Sequence, residues 1–308
     1  MADPEKKFLA VSLNPVMQRT LLFDSWRENR VNRTRTHYLH ASGKGVNVAR
    51  VLTQLGDDVV HLTHAGGADR ERFLAMCRED GLVLTALESD SEVRTCVTIL
   101  SRENGSTTEL IADAGPVSSG TGPAVWDEFE KLIHGCDYLI ISGTKAPGYS
   151  DDLYPRMVKR ASELGAASVL DIKGGDLKAC LPFGPALIKP NLSEFCATFL
   201  PDLSVEEHEE DERVLEAAAE EMKRIHREYG ALTVLTLGAR GALGWDGTEL
   251  ILQPARQIKP VNTIGCGDAF TAGLSHSLAK GEGFSKALET ARECAALNAG
   301  HIKPGVIA

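Results

Sequence analysis

Apolar residues along this chain follow two alternating rhythms. Phe8 to Leu13, Tyr138 to Ser142, Ser168 to Asp171, Leu187 to Lys189 and Leu232 to Leu237 are short, aliphatic runs with the composition of buried strands. Between them, Val48, Val51, Leu52 and Leu55 fall on one helical face, as do Val214, Leu215, Ala218, Met222 and Ile225. The alternation predicts an α/β fold, a mostly parallel central sheet flanked by helices. The acidic run Glu206 to Glu212, just before the second of these helices, reads as a solvated surface and a first turn favoured by the helix dipole.

Two stretches break the rhythm. Residues 16–40 are polar, rich in arginine and threonine, and β-like in character. Residues 92–113 read as a hairpin, with Arg94 to Leu100 and Thr107 to Ile111 as its strands and Asn104-Gly105 between them. Strands outside the helix-covered sheet must lie elsewhere. The expectation is therefore one α/β domain over residues 1–308, with a small β-sheet lid inserted from about 16–40 and 92–113.

Composition narrows the classes. The chain is 43% hydrophobic and 25% charged, ordinary for a globular protein, and its formal net charge of −10 argues against nucleic acid as the main partner. No apolar run approaches the ~18 residues that span a bilayer, and the start lacks a signal-peptide layout, so a cytoplasmic protein without a membrane partner is expected. Seven cysteines, with no Cys-x-x-Cys among them, suit reduced thiols better than disulfides or zinc. His61 and His64 have no cysteine nearby, and core or surface histidines describe them better than a metal site does.

The segment richest in chemistry is Val261 to Gly273, which holds Gly265-Cys266-Gly267-Asp268 ahead of a helical pattern through Phe270, Leu274 and Leu278. Glycines flanking Cys266 let the backbone turn and leave N–H groups uncovered at a helix N-terminus, a site for an anion. Asp268 there could accept a proton from an attacking hydroxyl, or could simply cap the helix. Both readings stand on this segment alone.

Asn262-Thr263-x-Gly265-x-Gly267-Asp268-x-Phe270-x-x-Gly273 resembles the C-terminal signature of the ribokinase-like (phosphofructokinase B) carbohydrate kinases. Ser42-Gly43-Lys44-Gly45-Val46-Asn47-Val48-Ala49 is similar to the family's Gly-Gly-Lys-Gly-x-Asn-x-Ala segment. Leu13-Asn14-Pro15, Ser142-Gly143-Thr144, Lys189-Pro190-Asn191-x-x-Glu194 and Leu237-Gly238-Ala239-x-Gly241 follow the family's order, so the resemblance spans essentially the whole chain. Leu13-Asn14-Pro15 and Arg94-Thr95 look most like the 1-phosphofructokinase and tagatose-6-phosphate kinase branch.

The resemblance implies a ribokinase-like fold. It also implies an activity, transfer of the ATP γ-phosphoryl group to a hydroxyl of a sugar phosphate, with Asp268 as base and the amides of Gly265, Cys266 and Gly267 as the anion hole. By the same resemblance, substrate would meet Asn14, Gln18, Gly43, Lys44 and Asn47, and a substrate phosphate would meet Lys44 and Arg94, joined by Arg33. An arginine fork suits phosphate through paired, charge-assisted bonds, although Arg94 could instead be an exposed strand residue in a salt bridge. ATP would lie over Lys189, Asn191, Thr236, Gly238, Gly241 and Asn298. Glu194 would organise Mg2+ through water, while Asn191 could equally form a turn. Lid strands in this family can pair between subunits, which makes a homodimer through the lid an expectation.

The chain departs from the family pattern at two positions. Gln18 stands where relatives carry an aspartate that binds sugar hydroxyls. An amide accepts at one end and donates at the other, so the identity of the sugar is opened by that change. Lys145 replaces an apolar residue, and either reaches a second anionic group on the substrate or is a solvated lysine. These departures leave two functional alternatives: a kinase of an unphosphorylated sugar, or a catalytically idle sugar-phosphate-binding regulatory protein. A dinucleotide oxidoreductase is disfavoured, because Asn14-Pro15 stands after the first strand in place of a Gly-x-Gly-x-x-Gly.

Overall fold

The computed structural model describes residues 6–203 and 212–308. The acidic run from Glu206 lies outside the described residues as far as Asp211. The chain opens with β1 (Lys7–Val11), β2 (Val16–Phe23) and β3 (Thr36–Ser42), then enters α1 (Lys44–Gln54). β4 (Asp58–Ala65), α2 (Arg70–Glu79) and β5 (Val83–Glu88) come after it, and β6 (Arg94–Ser101) returns along β7 (Thr107–Ile111). Next come α3 (Thr121–Ile133), β8 (Tyr138–Ser142), α4 (Leu153–Glu163), β9 (Ala167–Asp171), α5 (Gly174–Cys180), β10 (Leu187–Ile188) and α6 (Leu192–Phe199). α7 (Glu212–Tyr229) leads to β11 (Leu232–Thr236), β12 (Gly241–Trp245) and β13 (Leu250–Pro254), and α8 (Cys266–Ala279) packs along α9 (Phe284–Ala299).

Strand β1 shows why the alternation takes this form. Leu9 and Val11 enter one buried cluster, with side chains of α3 to α7, while Phe8 and Ala10 enter the other, with α1, α2, α8 and α9. A strand apolar on both faces requires helices on both sides, and the nine-stranded sheet has them. Its order is β13-β12-β11-β10-β9-β8-β1-β4-β5, parallel except for β12, which runs antiparallel to both β11 and the edge strand β13. The expected mostly parallel sheet is thus present. That edge pair is an addition, since two glycines in Gly241-Ala242-Leu243-Gly244-Trp245 mask its strand pattern.

At β1 the order reverses, with β4 and β5 on one side and β8 onward on the other. Open α/β sheets bind ligands at the carboxyl ends of the strands where the order reverses. Asn14, Gly143, Asp171 and Lys189 all follow or end strands on this rim.

The second sheet, β3-β2-β6-β7, is built from the two stretches that break the helical rhythm. At its root Val16 stands opposite both Ser42 and Arg94, and at its outer end Leu22 stands opposite Thr36. The β6–β7 connection is longer than a tight Asn-Gly turn. It spans residues 102–106, with only Gly105 at positive φ (66°), while Asn104 Oδ1 accepts the Ser106 N–H at 3.1 Å. Ser101 N bonds Ser106 O across this wider loop, so strand register is set there and not at the Asn-Gly pair.

Candidate active site

Two helix N-termini meet beside the strand reversal. Gly265 caps α8 in the left-handed region at φ 83°, and a Cβ there would come within 2.9 Å of Pro304 Cβ, so glycine alone fits the turn. That turn delivers Asp268 into the first turn of α8, buried at 6% exposure. The first turn of α1 supplies Asn47, whose Nδ2 donates to Asp268 Oδ2 at 2.7 Å.

Burial pushes the Asp268 carboxyl up to about 6; Lys44 opposes the rise and Asp171 adds to it. Burial would also raise Asp171, but Lys189 and Lys44 hold it below its ordinary value. Both ammonium groups lie 3.4 Å from Asp171 Oδ1, and Ser142 and Thr271 donate hydroxyls to Oδ2 at 3.3 and 3.2 Å. Lys44 faces three carboxylates. Burial would lower it, yet Asp171, Glu194 and Asp268 together raise it. The two acids thus diverge: Asp171 is fixed as an anion between lysines, whereas Asp268 can gain or lose a proton near neutrality.

The Asn-x-x-Glu segment is a reciprocal helix cap. Asn191 Oδ1 accepts from Glu194 N at 2.7 Å and Asn191 N donates to Glu194 Oε2 at 3.2 Å, which stabilises the start of α6. Glu194 Oε1 remains directed at Lys173 (3.4 Å) and Lys44 (3.9 Å). Among the described residues no group of three or more His, Cys, Asp or Glu side chains is placed to hold a metal ion. A magnesium ion at Glu194 fits only with most of its ligands drawn from phosphates and water, a coordination this ion accepts readily.

Several expected residues stand at this rim. Asn14 Nδ2 donates to Thr144 Oγ1 at 3.4 Å, and its Oδ1 is buried without a protein partner. Gly43 caps α1 ahead of Lys44. Thr236 ends β11 and bridges to Asn191, and Gly238–Arg240 makes a single 3-10 turn that closes on Gly241. Arg94, half-buried at the root of the second sheet, donates to Ala112 O at 3.5 Å and makes no salt bridge among the described residues, against the salt-bridge alternative.

Other expectations meet a different geometry. Lys145 is not solvated. Its side chain is 7% exposed, with Nζ 2.6 Å from Asp176 Oδ1 and 3.1 Å from Ser150 O, over the Tyr154 ring. Arg33 lies exposed in the connection at the outer end of the second sheet, roughly 20 Å from its root at the strand rise per residue. Gln18 is buried within that sheet, donating from Nε2 to Thr98 Oγ1 at 2.7 Å. Asn298 is wholly internal: Nδ2 donates to Ile264 O (3.0 Å) and Cys266 Sγ (3.3 Å), and Oδ1 accepts from Gly305 N (2.6 Å). The Cys266 N–H already donates to Thr263 O at 3.2 Å, so it is not an open amide of an anion hole. Burial pushes the Cys266 thiol up to about 11, with the Asn298 contact opposing.

Two residues of the cluster escape a reading of the chain in isolation. Asp171 carries a usable signal, an aspartate at the carboxyl end of a parallel strand. Lys173, two residues on, has no motif of its own.

Comparison with known proteins agrees with this architecture. The chain belongs to the pfkB family of carbohydrate kinases, whose model matches residues 11–306. It is accordingly an ATP-dependent carbohydrate kinase. Among similar solved structures is the tetrameric inhibited form of phosphofructokinase-2 from Escherichia coli, 21% identical, with 96% of this chain and 94% of that one covered at a TM-score of 0.82. A possible 1-phosphofructokinase from Thermotoga maritima is 19% identical over 97% of this chain and 94% of that one, TM-score 0.82. Arabidopsis thaliana ribokinase, complexed with ribose and ATP, is 17% identical over 98% and 94%, TM-score 0.71.

Proposed function

We propose that the protein transfers the γ-phosphoryl group of ATP to a hydroxyl of a phosphorylated ketose, with Asp268 as the catalytic base. The observation that carries this reading is the Asp268 carboxyl itself: buried, placed in the first turn of α8, and raised to about 6. A base that is ionised at neutral pH yet within reach of protonation suits removal of a hydroxyl proton.

The remaining residues take roles that follow from their surroundings. Asn47 orients the base. Asn14 Oδ1, buried and unpartnered, is an acceptor for a substrate hydroxyl. Lys44 and Arg94 offer cations from the start of α1 and the root of the second sheet, and support the choice of a sugar that already bears a phosphate. Lys189 stands next to Gly267, 3.9 Å from where a Cβ on that glycine would lie, so ammonium and helix N-terminus face the same region. Phosphoryl transfer asks the protein chiefly for positioning and charge, which this arrangement supplies. Magnesium, when bound, would supply neutralising charge across the nucleotide phosphates, and Glu194 would hold it through water. Leu110 and Ile111, exposed on the edge strand β7, support pairing of the second sheet with that of another copy.

The second reading, a free sugar, rests on the departure at Gln18, whose amide nitrogen is held by Thr98 inside the second sheet. ADP release with Mg-ATP across fructose 1-phosphate, fructose 6-phosphate, tagatose 6-phosphate, fructose, ribose and a nucleoside tests both. Turnover confined to a phosphorylated ketose, and lost in Asp268→Asn, is expected. Turnover on a free sugar alone would remove the phosphate pocket, and tight binding of a sugar phosphate without turnover would indicate a regulatory protein.

A further inference from the structure

Arg50 takes no part in the chemistry above, yet each N–H of its buried guanidinium has an acceptor. Nε and Nη2 donate to Asp80 Oδ2 at 3.0 and 2.8 Å, and Nη2 also donates to Ala41 O at 2.7 Å. Nη1 donates to Pro304 O at 2.8 Å and to Asn47 Oδ1 at 3.0 Å. These bonds join α1 to the end of α2, to the root of β3, and to the segment after α9. Lys303 also pairs with Asp80. Burial would raise the Asp80 carboxyl, but Arg50 and Lys303 hold it below its ordinary value, so the guanidinium keeps an ionised anchor.

A side-chain amide can present either end to a neighbour. A guanidinium donates and never accepts, so the end of Asn47 that meets Arg50 is its oxygen, and the nitrogen is left facing Asp268. Ser42 Oγ also bonds Asn47 Oδ1, at 3.2 Å, but a hydroxyl donates or accepts and would serve either orientation. We propose that Arg50 is a positioning residue for the catalytic base: it locks the Asn47 amide with its nitrogen on the Asp268 carboxylate, and through Ala41 O it ties that orientation to the root of the second sheet. The inference rests on Asp268 acting as the base.

Arg50→Lys separates this role from that of a plain structural clamp. It keeps the positive charge and leaves in place the groups that face Asp268: Lys44 and Asn47 from α1, Asp171 from β9 and Lys189 beyond β10. An ammonium drawn to Asp80 lacks the fork that also reaches Asn47, so the amide is free to turn. Two results are expected. The midpoint of the Asp268 titration, followed by NMR at its carboxyl carbon, rises, because a hydrogen bond to the ionised form is lost. Turnover falls about tenfold with both KM values kept, and neither change appears when Arg50→Lys is made in an Asn47→Ala background. An unmoved midpoint, or losses that multiply in the double variant, overturns the proposal. Should Arg50→Lys fail to fold, Asp80→Asn, which retains the guanidinium and loosens its anchor, is read by the same two criteria. The titration needs no substrate. A wild-type protein that turns over no sugar would therefore remove the kinase assignment of Asp268, while the midpoint still judges whether Arg50 holds Asn47 in place.

Discussion

Asn47 Nδ2 and Asp268 Oδ2 are 2.7 Å apart, although the two residues are separated by 221 positions of sequence. The contact joins the first turns of α1 and α8, the two helix starts whose glycine-rich sequences mark the chain most clearly. It places a donor on a carboxylate that burial drives toward the neutral form, and so opposes that shift.

Asp268→Asn removes the proposed base and keeps the shape of the side chain. Turnover should fall at least ~10²-fold, a general-base magnitude, with nucleotide affinity within about threefold of wild type. Rate measurements at saturating substrate, paired with nucleotide titration, check both. Near-normal turnover would leave Asp268 only its structural contact with Asn47.

The same variant should be more stable. The folded-state carboxyl is raised to about 6, so its ionisation opposes folding above that pH and does not below the ordinary carboxylate range. An amide cannot ionise, and at pH 8 the relief is up to about 3 kcal/mol, or several degrees in Tm. Thermal unfolding at pH 8 and pH 5 should show the gain shrinking at the lower pH. A gain equal at both values would mean that the charge is not its source.

As the proposed base, Asp268 would set the pH profile of the wild-type enzyme. That role requires the ionised form, so kcat should fall as pH drops through about 6. Asn47→Ala removes a bond that favours that form and should move the acid limb upward. It should also lower kcat at pH 8 about 10- to 100-fold, the range for a bond to a charged group. A limb that stays in place in the variant would argue against the bond acting on the titrating group.

Much of this cluster is legible along the chain because its residues sit at helix starts and strand ends, where glycine and lone polar residues interrupt apolar runs. Asp268 stands out on those grounds as either a base or a cap, while Lys44 and Asn47 stand out through the resemblance of their glycine-rich segment to the family's. Lys145 is not, since its surroundings depend on Asp176, 31 positions on and brought close by the packing of α4 and α5. Charge alone shows that a lysine is present and says nothing of which carboxylate folds against it. Asn191 and Glu194 carry the spacing of a capping box in plain view, and that local role holds beside any nucleotide contact. Arg33 illustrates the opposite limit. It lies within the stretch that forms the second sheet, but strand register decides that it falls at the outer end, and register depends on pairing across the sheet.

Lys145 and Lys44 should therefore respond differently to the same substitution. Lys145→Met leaves Asp176 without its partner at a site where the lysine side chain is 7% and the aspartate 23% exposed. That should cost about 2–3 kcal/mol, somewhat below a fully buried pair, and lower Tm by several degrees while KM for the sugar stays within about twofold. Lys44→Met should instead raise KM for a sugar phosphate by roughly 10-fold or more, because the proposed charge-assisted contact to the substrate would be lost. A KM defect in Lys145→Met with unchanged Tm would return that lysine to the substrate pocket.

Asn298 has two possible roles, a nucleotide contact and a brace for the turn before α8, and they differ in what its removal does. Its amide bonds Ile264 O, Cys266 Sγ and Gly305 N, so Asn298→Ala leaves a buried carbonyl and a buried N–H unsatisfied on either side of the loop. Each unsatisfied group costs about 1–3 kcal/mol, and the Gly265 turn loses the contact that holds it against the segment after α9. Destabilisation should appear together with a fall in kcat, because the turn positions Asp268. KM for ATP should move less than kcat. If Asn298 touches the nucleotide base instead, the pattern reverses: ATP affinity drops at least tenfold, while turnover at saturating ATP and Tm hold near wild type. Measuring kcat, the two KM values and Tm on this one variant separates the brace from the contact, since no single structural role predicts both patterns.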